Sequence, residues 1–139
     1  MRPLFIIVIF CVLGIYIFNR PNIDQFILES QELQVERVTS SWRKTKGLSG
    51  RDFLDESAGM LFAYSEPDYY GIWMPKMKFA IDIIWFDELC RVVDFKENVV
   101  PESYPEIFKP KIQAYYILEV NAGFIKRHAV SVGSKASGC

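Results

Sequence analysis

The chain predicts a small, mainly β domain, closed or half-closed into a barrel-like fold. It carries one or two short helices and follows a single N-terminal transmembrane or signal-anchor helix. Three observations predict this. Apolar segments of strand length recur from residue 33 onward. Pro, Gly and Asp punctuate them, and very few helical turns lie between. The third is an uninterrupted apolar run from Leu4 to Phe18. The total of 139 residues suits one globular domain and leaves no room for two.

The apolar run follows Met1-Arg2-Pro3 and closes at Asn19-Arg20-Pro21. As a helix it spans roughly 22 Å, short of the ~30 Å hydrocarbon core of a bilayer. That length fits the apolar region of a signal peptide. No small-x-small cleavage site follows it. Phe10 precedes Cys11, where a lipoprotein site needs a small residue. An uncleaved anchor over residues 1–20 is therefore expected, with flanking residues or a thinned bilayer absorbing the mismatch. A buried core helix needs a polar face, and this run has none. Arg2 and Arg20 nearly balance the charge rule for orientation. Segments of this kind at an extreme N-terminus usually insert with the amino end inside. Residues 21–139 are thus expected outside the cytoplasm, periplasmic or extracellular.

Residues 21–32 are polar with weak periodicity and read as a tether. Leu33 to Val38 alternates loosely and suits a first strand. Thr39-Ser40-Ser41 offers an N-cap, Trp42 to Lys46 a helix of one or two turns, and Gly47 its stop. Met60 to Tyr64 is apolar on both faces and reads as a strand buried on both sides. Glu66-Pro67-Asp68 reads as a turn, and Tyr69 to Met74 as a short aromatic strand ending at Pro75. Ala80 to Phe86 is the strongest strand signal. Asp87 to Cys90 is a tight connection, and Arg91 to Phe95 the returning strand of a hairpin. Pro101, Pro105 and Pro110 make a long extended loop. Ala114 to Val120 is the last long strand. Asn121 is placed to cap a helical turn reaching His128, and Val130 and Val132 suggest a terminal strand. The β domain is thus 33–135, and 136–139 is a tail.

Acidic and basic side chains number 17 and 16, a formal net charge of −1. The first acidic residue is Asp24, so the chain beyond the anchor is mildly acidic. This gives no electrostatic footprint for nucleic acid. The basic patch Arg43-Lys44-Thr45-Lys46 reads as a solvated helix face. Cys90 and Cys139 have no CxxC spacing and suggest neither a disulfide framework nor a zinc site. A bridge between them requires a location outside the cytoplasm, and a terminal residue is ordinarily too mobile to hold one. The one histidine, His128, follows Lys126-Arg127 and reads as a surface residue. Metal-ligand spacing, a Gly-rich phosphate loop and a nucleophile paired with a base are all lacking. No cofactor and no metal are expected.

Two carboxylates interrupt strands where a core would reject them. Asp82 shares a strand face with Ile84 and Phe86, and Glu119 with Ile117 and Asn121. An ionised carboxylate in such a place is costly unless paired. The structural reading is a polar core cluster of Arg51, Asp82, Glu119 and Asn121, with Arg51 as the natural bidentate partner. The functional reading is a tuned acid or base. Aromatic residues form a second candidate. Tyr69, Tyr70 and Trp73 lie between Pro67 and Pro75, while Tyr104 and Phe108 lie in the proline loop. They fill a barrel end or line a shallow ligand groove.

The order of motifs resembles the prokaryotic family called domain of unknown function 192, DUF192. The residues that carry the resemblance are Gly47-Leu48…Arg51, Gly59-Met60-Leu61-Phe62, Trp73-Met74, Ile81-Asp82-Ile83-Ile84 and Leu118-Glu119…Asn121-Ala122-Gly123. Pro75 departs from the pattern where a basic residue is common. Gly133-Ser134 departs where Gly-Asp is usual. The resemblance implies a compact β-barrel-like fold behind an N-terminal signal or anchor, and no known activity. Together these readings favour a monomeric binding module over an enzyme, for a small ligand, a glycan or a membrane protein. The alternative is a carboxylate-dependent hydrolase, for example on glycans, using Asp82 and Glu119.

Overall fold

A computed structural model describes residues 22–139. The run at 4–18, and with it the expected anchor, lies outside the described residues. Among the described residues no helix is long and apolar enough to cross a membrane. In chain order the elements are β1 (Ile23–Leu28), β2 (Gln31–Val38), α1 (Ser41–Lys46), β3 (Ala58–Asp68), β4 (Ile81–Phe86) and β5 (Val92–Val99). A 3-10 turn at Pro101–Ser103, β6 (Ala114–Asn121), α2 (Phe124–Arg127) and β7 (Ala136–Ser137) complete them.

The strands form one seven-stranded sheet in the order β5-β4-β6-β3-β2-β1-β7. Only β2 and β3 pair in parallel, and α1 with the loop behind it makes the crossover that a parallel pair requires. The sheet curls into a half-barrel whose two edges meet at one corner. There Arg91 bridges Lys135, the Val92 amide donates to Ser134, and the Ala136 amide to Cys90. The Cys90–Cys139 disulfide, with Cα atoms 5.8 Å apart, staples the same corner.

Each face of the sheet has its own core. The concave face buries Phe26, Leu33, Leu61, Ile84, Phe86 and Leu118. The convex face buries Met60, Phe62, Ile81, Ile83, Trp85 and Ile117 under α1 and the long loops. Every residue of β4 is buried because both of its faces are covered.

Several sequence expectations change. The expected tether contains β1, whose Phe26 and Leu28 are fully buried. It joins β2 through Glu29-Ser30, both at positive φ, a hairpin turn built without the Gly or Asn that announces one. The expected tail contains β7 and the disulfide. Glu66-Pro67-Asp68 continues β3 rather than turning it, and the register with β6 shifts between Ala63 and Asp68. Proline tolerates such an irregularity because no ladder bond is asked of it. Residues 69–74 are loop, tied down by a single bridge from Ile72 to Phe108. The cap of α2 is Gly123, not Asn121. Val130 packs into the concave core outside any strand.

Candidate functional site

The convex face carries a row of paired residues across four strands. Glu36 on β2 faces Met60 on β3, which faces Glu119 on β6, which faces Ile83 on β4. The backbone segments that cover this row leave a cavity of about 250 Å³. Lys44, Lys46 and Gly47 form one side, Trp73, Met74 and Met77 another, and Tyr64 and Glu119 are part of its lining. Gly47 ends α1 at φ 49°, a left-handed conformation that glycine adopts without strain. The turn brings its Cα close over the site: a Cβ there would lie 3.8 Å from Glu119 Oε2.

Glu119 is 4% exposed, and its Oε2 has no hydrogen-bond partner. Burial pushes the carboxyl up to about 8, against the pull of the Arg51 charge. At neutral pH most molecules therefore carry its proton. Burial, then Tyr70 and Glu119, push the Tyr64 hydroxyl up to about 12. Lys44 places its ammonium 3.7 Å from the centre of the Tyr64 ring, and burial lowers its pKa. Tyr64 in turn stacks on Tyr70 at 3.5 Å.

The four residues expected as one polar cluster do not form one. Asp82 points to the concave face, opposite to Glu119, because it pairs with Val120 while Ile83 pairs with Glu119. It is fully buried and accepts the Asn98 amide at 2.8 Å and the Ile125 amide at 2.9 Å. Its carboxylate thus ties the end of β5 to the start of α2. Arg51 reaches neither carboxylate. It pairs with Glu36 at 2.5 Å, and Arg43 holds the other oxygen of Glu36. Asn121 shares the Glu119 face, where its amide donates to Leu54 O at 2.8 Å and Asp55 O at 3.2 Å and fastens the loop between α1 and β3.

The aromatic residues divide as well. Trp73 lines the cavity, stands 42% exposed and packs on Tyr104 with centroids 5.7 Å apart. Tyr70 supports Tyr64 from behind and donates its hydroxyl to Glu66 O. Phe108 packs against the convex core, and Tyr69 is exposed away from the cavity lining. The proline loop closes on Gly71, where an added Cβ would lie 2.5 Å from Ile107. Tyr64 and Met77 were not singled out from sequence as site residues, and Lys44 and Gly47 were read there as a solvated helix face and its stop. A basic residue in the last turn before a stop glycine is the one local signal for Lys44.

Among the described residues no group of three His, Cys, Asp or Glu side chains is placed to hold a metal ion. The family model described as Uncharacterized ACR, DUF192, matches residues 25–138. The chain belongs to the DUF192 family. No curated protein matches it. Two solved structures share its fold. A putative transcription regulator from Sinorhizobium meliloti 1021 is 29% identical, with TM-score 0.76, over 82% of this chain and 90% of that one. A protein of unknown function from Novosphingobium aromaticivorans DSM 12444 is 25% identical, with TM-score 0.79, over 84% and 85%. Of the residues that carry the family resemblance, Gly47, Leu48, Trp73, Met74, Ile81 and Glu119 line the cavity, and Asn121 secures the loop between α1 and β3. Ser134, where the resemblance led one to look for Asp, accepts the Ser131 amide through Oγ at 3.1 Å.

Proposed function

We propose that this DUF192 domain is a monomeric ligand-binding module, held outside the cytoplasm by an N-terminal membrane anchor, with the cavity over Glu119 as its site. One observation carries the binding reading. A buried carboxyl oxygen without any partner costs about 1–3 kcal/mol in a folded protein. Glu119 carries that cost at an open cavity, where a ligand can relieve it. Two observations support the location. The run at 4–18 is apolar throughout, and a structural disulfide such as Cys90–Cys139 belongs to an oxidising compartment. A glycan hydrolase needs two carboxylates about one sugar apart on one side of the substrate. Asp82 and Glu119 lie on opposite faces of the sheet, so the geometry favours binding. The Sinorhizobium protein is described as a putative transcription regulator, whereas a net charge of −1 gives this chain little electrostatic hold on DNA.

The test uses the full-length chain. It is expected to stay with membranes through a carbonate wash and to show one disulfide by mass before reduction. A small-molecule screen read by thermal shift is expected to yield ligands that alter tryptophan fluorescence, with the change lost in Trp73→Phe. A protein released by the wash refutes the anchor. Ligands whose effect survives both Trp73→Phe and Glu119→Leu refute the site.

A further inference from the structure

We infer that the cavity takes a small organic monocarboxylate with an apolar body, its carboxylate held between the Lys44 ammonium and the Glu119 carboxyl group. This rests on the binding reading above and adds the chemistry of the ligand.

Three polar groups of the cavity have protons to donate. Lys44 makes no salt bridge among the described residues, and its ammonium lies on the Tyr64 ring beside the cavity. Burial raises the Glu119 pKa to about 8, so at neutral pH its carboxyl has an O–H to donate. Tyr64 likewise keeps its hydroxyl proton. Three donors around one space call for a ligand rich in acceptors, and one of the three is a cation without a salt-bridge partner among the described residues. A carboxylate answers both needs: one oxygen pairs with Lys44, and the other accepts from Glu119.

The charges that face Glu119 point the same way. From the loop after α1 comes Arg51, whose charge acts on Glu119, and Lys44 and Lys46 of α1 line the same cavity. From β2 comes Glu36, whose two oxygens are already held by Arg43 and Arg51. From β3 comes Tyr64 and, from the loop behind it, Tyr70. From β4 come Ile81 and Ile83, without charge. The balance is positive, which repels an ammonium ligand. The remaining walls are Leu48, Ile72, Trp73, Met74 and Met77. The flat indole and the polarisable thioethers among them suit a ring or short chain.

The experiment titrates the folded protein with phenylacetate, phenethyl alcohol and phenethylamine, three probes sharing one apolar body. Phenylacetate is expected to bind at least about tenfold more tightly than the alcohol at neutral pH, as a charge-assisted pair implies. Phenethylamine is expected to be the weakest. Phenylacetate affinity is expected to fall as pH rises through about 8, where Glu119 loses its donor proton. Glu119→Gln, which keeps a donor, is expected to remove that fall. Lys44→Met is expected to erase the preference for phenylacetate over the alcohol. Tightest binding by the amine, equal binding of alcohol and carboxylate, or affinity rising with pH overturns the inference and leaves the binding reading intact. If none of the three binds while screened ligands still act through Trp73, the inference alone falls.

Discussion

Asp82 and Glu119 are both buried carboxyl groups, on adjacent paired strands, one residue out of step in register. Everything else about them differs. On the concave face Asp82 receives two backbone amides, from Asn98 and Ile125. On the convex face Glu119 receives none at Oε2 and looks into a cavity. The first arrangement makes a carboxylate part of the architecture: it joins β5 to α2 where neither element supplies a partner of its own. The second leaves a buried oxygen unpaired beside a cavity. Burial alone does not distinguish the two acids; the count of satisfied oxygens does.

The sharpest way to break this comparison is to delete each carboxyl. Asp82→Ala leaves the buried Ile125 amide and the half-buried Asn98 amide without acceptors, each costing about 1–3 kcal/mol, so a loss of about 2–6 kcal/mol is expected in urea unfolding. Glu119→Gln keeps the size of the side chain and cannot ionise, so it is expected to be neutral or stabilising at pH near 8. Equal losses at the two sites would show that the partner count carries no meaning here.

A second measurement sharpens the contrast through pH. The Glu119 carboxyl is raised from 4.5 to about 8 in the folded chain by burial. Between those values the folded protein holds a proton that the unfolded chain has lost. Stability therefore falls as pH rises through that window, and is fullest below it. From about pH 5.5 to about pH 8 the loss attributable to this one group is about 3 kcal/mol. Glu119→Gln is expected to lack this component, seen as a flatter profile of unfolding midpoint against pH. An unchanged profile would place the source of any pH dependence elsewhere.

Much of the architecture was legible in the sequence. The long apolar runs at β3, β4 and β6 announced themselves, as did Gly47 at the end of α1. Asp82 and Glu119 stood out as polar residues inside such runs. Which face each one takes was not legible. A shift of one residue in register reverses the face of a strand, and register is set by partners far along the chain. The β1–β2 hairpin was hidden by a turn of Glu29-Ser30, whose positive φ angles no glycine advertises. The cavity was hidden for a related reason. Lys44 reads locally as part of a solvated helix face, and only residues 71–77, brought in by tertiary packing, turn that face into a wall.

The smallest expected effect concerns Arg51, which sequence reasoning assigned to a buried carboxylate. It pairs instead with Glu36, and its own side chain is 39% exposed. Glu36 keeps Arg43 as a second partner when Arg51 is lost. Breaking one arm of such a half-exposed pair costs about 1 kcal/mol or less, and added salt should shrink the cost further. Arg51→Ala is therefore expected to shift the urea midpoint only slightly. Its effect on the site should be plainer. The Arg51 charge holds the Glu119 pKa down against burial, so its removal should move the Glu119 titration upward, as read by carboxyl NMR. A loss of several kcal/mol, of the size seen when a buried pair is broken, would mean that Arg51 anchors the convex layer itself. A Glu119 titration unmoved by the change would mean that the two groups do not feel each other. In that case the positive surroundings argued for the cavity would rest on Lys44 and Lys46 alone.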